Sequence, residues 1–470
     1  MRHAAGPSGT ASATDLPGAL PRRLDERPVG RLGRGGDDDN DRIRVLQVHK
    51  FFYPHAGSET VLFHTRDLLK SHGHEVVDFA MEHPDNRASE FAGYFAPRRE
   101  YTDPSRQLFT RGKDALASVY SLAVRRRLRA LVSHTRPDVA HLHIVYHQLT
   151  MSVVDELSRM SIPMVMTLHD YKIGCPAYVL YRDGHPCHDC TRGAVHNAVR
   201  HRCVKDELVP SILAGIEATL AHRTRKYDKI NGFVCPSAFA ASVALEAGIP
   251  GERLHVLPNF LPNGEVAGPV SSLADDARFL FAGRLEAVKG VDDLLAAFSG
   301  GDPSMGTLVI AGAGGDLEGR VRELASQVSN IEYLGRLSRE EVAVQLRTAR
   351  AAILPSRWEE NNPMSILEAR ALGIPVIVTA MGGLPEMVTD DLDGKVVDAG
   401  DVASIREAVR SLVGDREWAE QLGRNGYARF CRDNTATAHY RGLMDAYLAA
   451  GARHAQPGGA ARSTLTGTGG

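Results

Sequence analysis

Two carboxylates, Glu360 and Glu368, lie eight positions apart in the run Leu354-Pro355-Ser356-Arg357-Trp358-Glu359-Glu360-Asn361-Asn362-Pro363-Met364-Ser365-Ile366-Leu367-Glu368-Ala369. Ala351, Ile353 and Leu354 read as the end of a buried strand, 355–363 as a loop, and 364–372 as a helix opening beneath it. This layout hangs Glu360 over the helix N-terminus and aims Glu368 into the same crevice, outside the carboxyl end of the strand, where open α/β sheets bind ligands. A cation pair, Arg284 and Lys289, follows another strand in Phe281-Ala282-Gly283-Arg284-Leu285-Glu286-Ala287-Val288-Lys289-Gly290. Arginine can grip phosphate oxygens bidentately, and preorganised cations lower a barrier where negative charge develops. His169 and Asp170 end a third strand, again at a carboxyl edge. Four thiols come next, Cys175, Cys187, Cys190 and Cys203, in the order Cys-x11-Cys-x2-Cys-x12-Cys. They could close a tetrahedral structural zinc site, with His185, His188, His196 and His201 as substitute ligands. Each feature has an ordinary alternative: solvated surface charges, a bystander histidine, or a group of partly buried free cysteines. Cys235 and Cys431 stand alone and read as packing residues.

The elements that must hold these groups alternate strand and helix. An apolar run at 43–48 suits the first strand of a parallel sheet. The loop Phe51-Phe52-Tyr53-Pro54-His55-Ala56-Gly57-Ser58-Glu59-Thr60 comes after it, and Val61, Leu62, Leu68 and Leu69 then mark a helix with one apolar face. Gly57 lets backbone approach a ligand, and amides at that helix start could bind an anion. Further strands are expected over 74–81, 137–144, 163–169, 229–237 and 254–257. After a linker low in apolar residues, a second series is expected at 279–282, 308–311, 331–334, 351–354, 375–379 and 395–397. Such alternation argues for doubly wound parallel sheets. Leu116, Val119, Tyr120, Ala123, Leu128, Leu131 and Val132 recur at helical spacing beside Arg125, Arg126, Arg127 and Arg129. That basic helix could lie on an anionic membrane, but the reading preferred is the wet face of an ordinary helix.

The chain of 470 residues, 43% of them hydrophobic, can bury more than one core. A net charge of −2 excludes global attraction to nucleic acid, and no apolar run reaches membrane-spanning length. Residues 1–42 lack the apolar core of a secretory signal and read as a disordered leader, with 455–470 as a matching tail. Six cysteines are too few and too clustered for a secreted disulfide framework, so the expected compartment is cytoplasmic, with peripheral contact at the inner membrane face as an extension.

The spacing Pro-Ser-x-x-x-Glu-Asn-Asn-Pro-x-x-x-x-Glu-Ala resembles the Glu-x7-Glu signature of retaining nucleotide-sugar glycosyltransferases of the GT-B fold, more closely glycosyltransferase family 4. The resemblance implies two Rossmann-like domains facing a cleft: an acceptor-side domain over 43–262, a nucleotide-sugar domain over 263–435, and a last helix over 436–454 crossing back. It implies that Glu360 holds hydroxyls of the donor sugar and Glu368 the ribose. Thr167-Leu168-His169-Asp170-Tyr171-Lys172 is similar to the family's Thr-x-His-Asp segment, whose histidine contacts the transferred sugar. Gly283, Arg284 and Lys289 match its Gly-Arg-x(n)-Lys-Gly element, which binds the diphosphate. Gly57 and Ser58 fall on its Gly-Gly-x-Glu loop, with Ala56 in place of the first glycine. Gly312 lies in a loop near the nucleotide, Arg336 and Leu337 on the base pocket, and Asn361, Asn362 and Pro363 beside the donor. The turn at Gly382-Gly383 and Pro385-Glu386 reads as architecture or as a ligand contact. A Cys-rich insertion after the His-Asp pair occurs in a subset of similar enzymes.

The resemblance implies an enzyme that moves a sugar from a nucleoside-diphosphate sugar to a hydroxyl acceptor, a glycan, lipid-linked sugar or small molecule, with retention and no obligatory metal. Two other classes fit parts of the pattern: a GT-B sugar-nucleotide epimerase, which needs no acceptor, and a non-catalytic zinc-stabilised binding protein.

Overall fold

The computed structural model describes residues 42–98, 119–263 and 268–452. The expected leader, apart from Arg42, and the expected tail lie outside these residues, as does Leu116 of the basic helix. Continuous runs such as Val45-Leu46 and Phe279-Leu280-Phe281 are buried on both faces, so they suit parallel strands covered by helices on either side. The first sheet takes β1 (Arg44–Val48), β2 (Glu75–Phe79), β3 (Val139–Leu142), β4 (Met164–Thr167), β7 (Gly232–Cys235) and β8 (Leu254–Val256). A separate two-stranded ribbon, β5 (Tyr181–Arg182) with β6 (His185–Pro186), interrupts the series within the cysteine-rich segment. The second sheet takes β9 (Arg278–Ala282), β10 (Thr307–Ala311), β11 (Ile331–Gly335), β12 (Ala351–Leu354), β13 (Val376–Thr379) and β14 (Lys395–Val397). Their orders are β2-β1-β3-β4-β7-β8 and β11-β10-β9-β12-β13-β14, and every pair within each sheet is parallel.

Strand order reverses between β1 and β3 in the first sheet and between β9 and β12 in the second. At such a point the two flanking loops turn away to opposite faces and leave a crevice. The first crevice is framed by the loop after β1, which leads into helix α1 (Gly57–Ser71), and by His143 after β3. The second is framed by Gly283–Lys289 after β9 and by 355–363 after β12. These are the two doubly wound, Rossmann-like units of a GT-B fold.

Helix α2 (Leu122–Thr135) turns Val124, Leu128, Leu131 and Val132 into the core. Arg125 and Arg129 donate to Glu156, whose side chain is fully buried, and Arg127 donates to Gly93 O. Arg125 is half-buried by its contact, whereas Arg126, Arg127 and Arg129 keep exposed side chains. Among the described residues no helix is long and apolar enough to cross a membrane.

Helices α3 (Leu208–Arg223) and α4 (Ala238–Glu246) belong to the first unit and α5 (Met364–Ala371) to the second. The last helix, α6 (Ala436–Ala449), leaves the second unit and packs on the first sheet, where Leu443 and Tyr447 join Val45, Val139, Val165 and Val234 in one cluster. Tyr447 Oη lies 2.8 Å from His141 Nδ1 and Tyr440 Oη 2.7 Å from His74 Nε2. One helix thereby joins the end of the second unit to the core of the first.

Candidate active site

Glu360 sits at the β9/β12 crevice, 5% exposed. Its Oε1 accepts from Lys289 Nζ at 2.6 Å, Ser356 Oγ at 2.6 Å and Trp358 Nε1 at 2.7 Å. All three donors converge on one oxygen, which leaves Oε2 for a ligand hydroxyl. Burial alone would push the carboxyl upward. Lys289 first, then the Ser356 and Trp358 hydrogen bonds, outweigh burial and hold it below the ordinary carboxylate range. Lys289 also lies 4.6 Å from the Trp358 ring centroid, a cation–π contact.

The approach of Lys289 to Glu360 depends on Gly290. This residue has φ +72°, and a Cβ there would fall 1.9 Å from Pro355 O. Only glycine lets the turn after β9 rest on the loop after β12, where Val288 O accepts from Arg357 N at 2.9 Å. Gly382 and Gly383 support the same loop from behind. A Cβ at Gly383 would strike Asn361 O at 2.1 Å, and Gly383 N donates to Glu360 O at 2.7 Å. Of the two readings of that turn, the architectural one describes these contacts.

Glu368, on α5, lines a cavity of about 10 Å³ with Ala282 and Leu354, the last residues of β9 and β12. Arg339 Nη2 donates to its Oε1 at 2.9 Å, and Arg339 Nη1 stands 3.3 Å from His64 Nε2 on α1. Arg284 is largely exposed and pairs with Glu286 at 2.7 Å. Gly283 N donates to Ala311 O and Gly312 N to Gly335 O, which sets both glycines beside the ends of β10 and β11. Arg336 is exposed and Leu337 half-buried just beyond β11. Pro363 is the N-cap of α5.

On the first unit, His169 follows β4. The tautomers there are set by a chain of partners. Gln47 Oε1 accepts from His143 Nε2 at 2.7 Å, so His143 Nδ1 carries the lone pair that accepts from His169 Nε2 at 2.8 Å. His169 Nδ1 is left as an acceptor, and burial holds the ring neutral by lowering its pKa to about 4. Gly57 and Ser58 begin α1 and are not deeply buried, whereas the adjoining Glu59 is 1% exposed and accepts from Ala56 N and Ser58 Oγ, each at 3.0 Å. Ala56 has φ −149°, so no glycine is required at that position.

Asn361 and Asn362, expected beside the donor, use their side chains elsewhere. Asn361 Nδ2 donates to Leu168 O at 2.7 Å, and its Oδ1 accepts from Ser237 Oγ at 2.8 Å. Asn362 Oδ1 accepts from Asn259 N at 3.0 Å. Both amides therefore tie the Glu360 loop to the first unit, and Asn361 holds it to the residue before His169. Sequence reasoning assigned no role to Ser356, Trp358, Gln47 or His143. The alternation His141-x-His143 at a strand end was the available signal for the last.

The four cysteines stand around one cavity of about 10 Å³, together with Tyr181, Arg182 and Asp189, and all are free thiols. Among the described residues no three His, Cys, Asp or Glu are drawn together as the ligands of an ion would be.

Comparison with known proteins places these features. Residues 55–262 match the model of glycosyltransferase family 4, and 269–429 match that of glycosyl transferases group 1. The chain is 33% identical to a glycogen synthase of Mycobacterium tuberculosis over 191 residues, 38% of this chain and 45% of that protein. It is 29% identical to the D-inositol 3-phosphate glycosyltransferase of Mycolicibacterium smegmatis over 212 residues, 43% of this chain and 46% of that protein. The chain thus spans about half the length of these curated relatives. Among solved structures, sucrose-phosphate synthase from Thermosynechococcus elongatus superposes with TM-score 0.62 at 18% identity, over 87% of this chain and 98% of that one. Anabaena HepE in complex with UDP-glucose gives 0.57 at 14%, over 86% and 99%. With both family models falling in order on the two units of a GT-B fold, the chain belongs to the family 4, group 1 glycosyltransferases.

Proposed function

We propose that this protein transfers a sugar from a nucleoside-diphosphate sugar to a hydroxyl of a glycan or lipid-linked acceptor, with retention at the anomeric carbon. The observation that carries this reading is the Lys289–Glu360 pair at the β9/β12 crevice, a half-buried cation beside a buried, half-satisfied carboxylate. In the reaction the bond between the anomeric carbon and the β-phosphate oxygen breaks, and its electron pair leaves with the diphosphate. Lys289 and Arg284 stabilise that growing charge. The acceptor oxygen bonds to the carbon on the face the diphosphate vacates, and its proton passes to a phosphate oxygen. Glu360 Oε2 and His169 Nδ1 accept from donor-sugar hydroxyls, and Glu368 accepts from the ribose. Support comes also from the ligands of structural neighbours: HepE with UDP and UDP-glucose, and TarM of S. aureus with UDP and α-GlcNAc-glycerol.

The epimerase reading is separated by incubating donor without acceptor. Conversion of the donor to an epimeric sugar nucleotide would replace the transferase reading, whereas an unchanged or slowly hydrolysed donor supports it. A structural zinc among Cys175, Cys187, Cys190 and Cys203 belongs to the same proposal: the four thiols line one cavity, and an ion there would have to draw them closer than they stand. About one zinc per purified chain, lost in Cys187→Ser, is the expected result; four titratable thiols and no metal would remove it.

A further inference from the structure

The segment between β4 and α3 belongs to neither sheet, yet it reaches the Glu360 loop. Within its Cys187–Cys190 turn, His188 Nε2 donates to Glu359 Oε1 at 2.8 Å, across the cleft. Glu359 is 8% exposed and is the residue before Glu360. Its second oxygen, Oε2, is buried without a hydrogen-bond partner among the described residues. The hydrogen bond from His188 is therefore what holds this carboxylate.

The turn that carries His188 is held against α4. The imidazole meets the Phe239 ring edge-on, centroids 6.3 Å apart, near the helix start. Thr191 Oγ1 lies 2.8 Å from Glu246 Oε2 at the helix end. The start of α4 is itself gripped from the second unit, since the N–H groups of Ala238 and Phe239 donate to the Glu386 carboxylate at 2.6 Å each. Behind the turn, the four cysteines gather on their cavity. The insertion is therefore fixed at its base and along α4, and it extends one side chain to the loop that holds Glu360.

We propose that the cysteine-rich insertion is an interdomain strut and that His188 is a positioning residue, which sets the Glu359–Glu360 loop for the donor through its hydrogen bond to Glu359. A carboxylate this deeply buried needs a donor. Without His188 it must move toward water, and that displaces the adjacent Glu360. The consequence for turnover rests on the nucleotide-sugar reading; the consequence for loop order does not.

The test compares wild type with His188→Ala, His188→Gln and Glu359→Gln, full-length in each case. The His188 side chain is 40% exposed, so its truncation leaves the core intact. Hydrogen exchange of amides 356–362 is followed without any sugar nucleotide, and donor KM and kcat are measured separately. In His188→Ala, loop exchange rises about tenfold and donor KM rises about tenfold with kcat little changed. His188→Gln, which retains a donor, restores both, and Glu359→Gln combined with His188→Ala costs less than the sum of the two. Unchanged loop exchange in His188→Ala would overturn the strut. If no sugar nucleotide binds, the exchange arm still decides the inference, and the failure belongs to the proposed function alone.

Discussion

Lys289→Met keeps the length of the side chain and removes its charge. At 2.6 Å, and with an effective dielectric near 20, the attraction lost is about 6 kcal/mol before desolvation is counted. Breaking one partner of a buried pair typically costs about 3–5 kcal/mol, and Glu360 can escape part of this by protonation. Wild-type Glu360 is held below its ordinary pKa, so its contribution to stability is full above the unfolded value and is lost as pH falls through the lowered folded one. In the variant, burial prevails and the sign reverses. The folded carboxyl titrates above its unfolded value, and stability declines as pH rises through about 4.5 and beyond. Thermal melts from about pH 4 to pH 8 should therefore show a wild-type-minus-variant gap that widens with pH. With donor present, kcat/KM should fall by about 10²–10³. A gap that stays flat across this range, together with unchanged transfer, would refute the assignment of Lys289 as the cation that keeps Glu360 ionised.

Acid should destabilise the fold through its buried histidines. Burial lowers His141 to about 3, and His169 and His439 to about 4, while the unfolded chain takes protons near pH 6.5. Stability then falls as pH drops from about 6.5 toward 4, and a melting temperature constant over that window would contradict it. Gly290→Ala should destabilise by more than about 1 kcal/mol, because a Cβ would sit 1.9 Å from Pro355 O at φ +72°; a melt unchanged from wild type would contradict the steric argument. Glu386→Ala removes the carboxylate that accepts from the start of α4. It should cost roughly 1.5–3 kcal/mol and loosen the seam between the units, read as faster amide exchange at Ala238 and Phe239.

The strands were legible because residues such as Val45, Leu46, Ile353 and Val376 form the continuous apolar runs that a doubly covered sheet requires, and the two crevices arise from the strand order those runs build. The Glu360 loop and the Arg284–Lys289 turn could be found from their residue types alone. Their contact could not, because it depends on Gly290 fitting against Pro355 across the sheet. The use of Asn361, Asn362 and Glu386 was also hidden. A side chain that bonds across a cleft carries no local periodicity, and nothing near Asn361 in sequence announces Leu168 O as its partner. His188 was noticed only as a substitute ligand, since its neighbours in sequence are cysteines whereas its partner in space is Glu359.

The most direct test is a binding and transfer screen of purified protein against UDP-, GDP-, ADP- and TDP-sugars, run in parallel with Glu360→Gln. One nucleotide sugar is expected to bind the wild type, Glu360→Gln to weaken that binding, and the product to keep the anomeric configuration of the donor. Equal binding to wild type and Glu360→Gln, or no binding of any sugar nucleotide, would contradict the assignment of this crevice as the donor site.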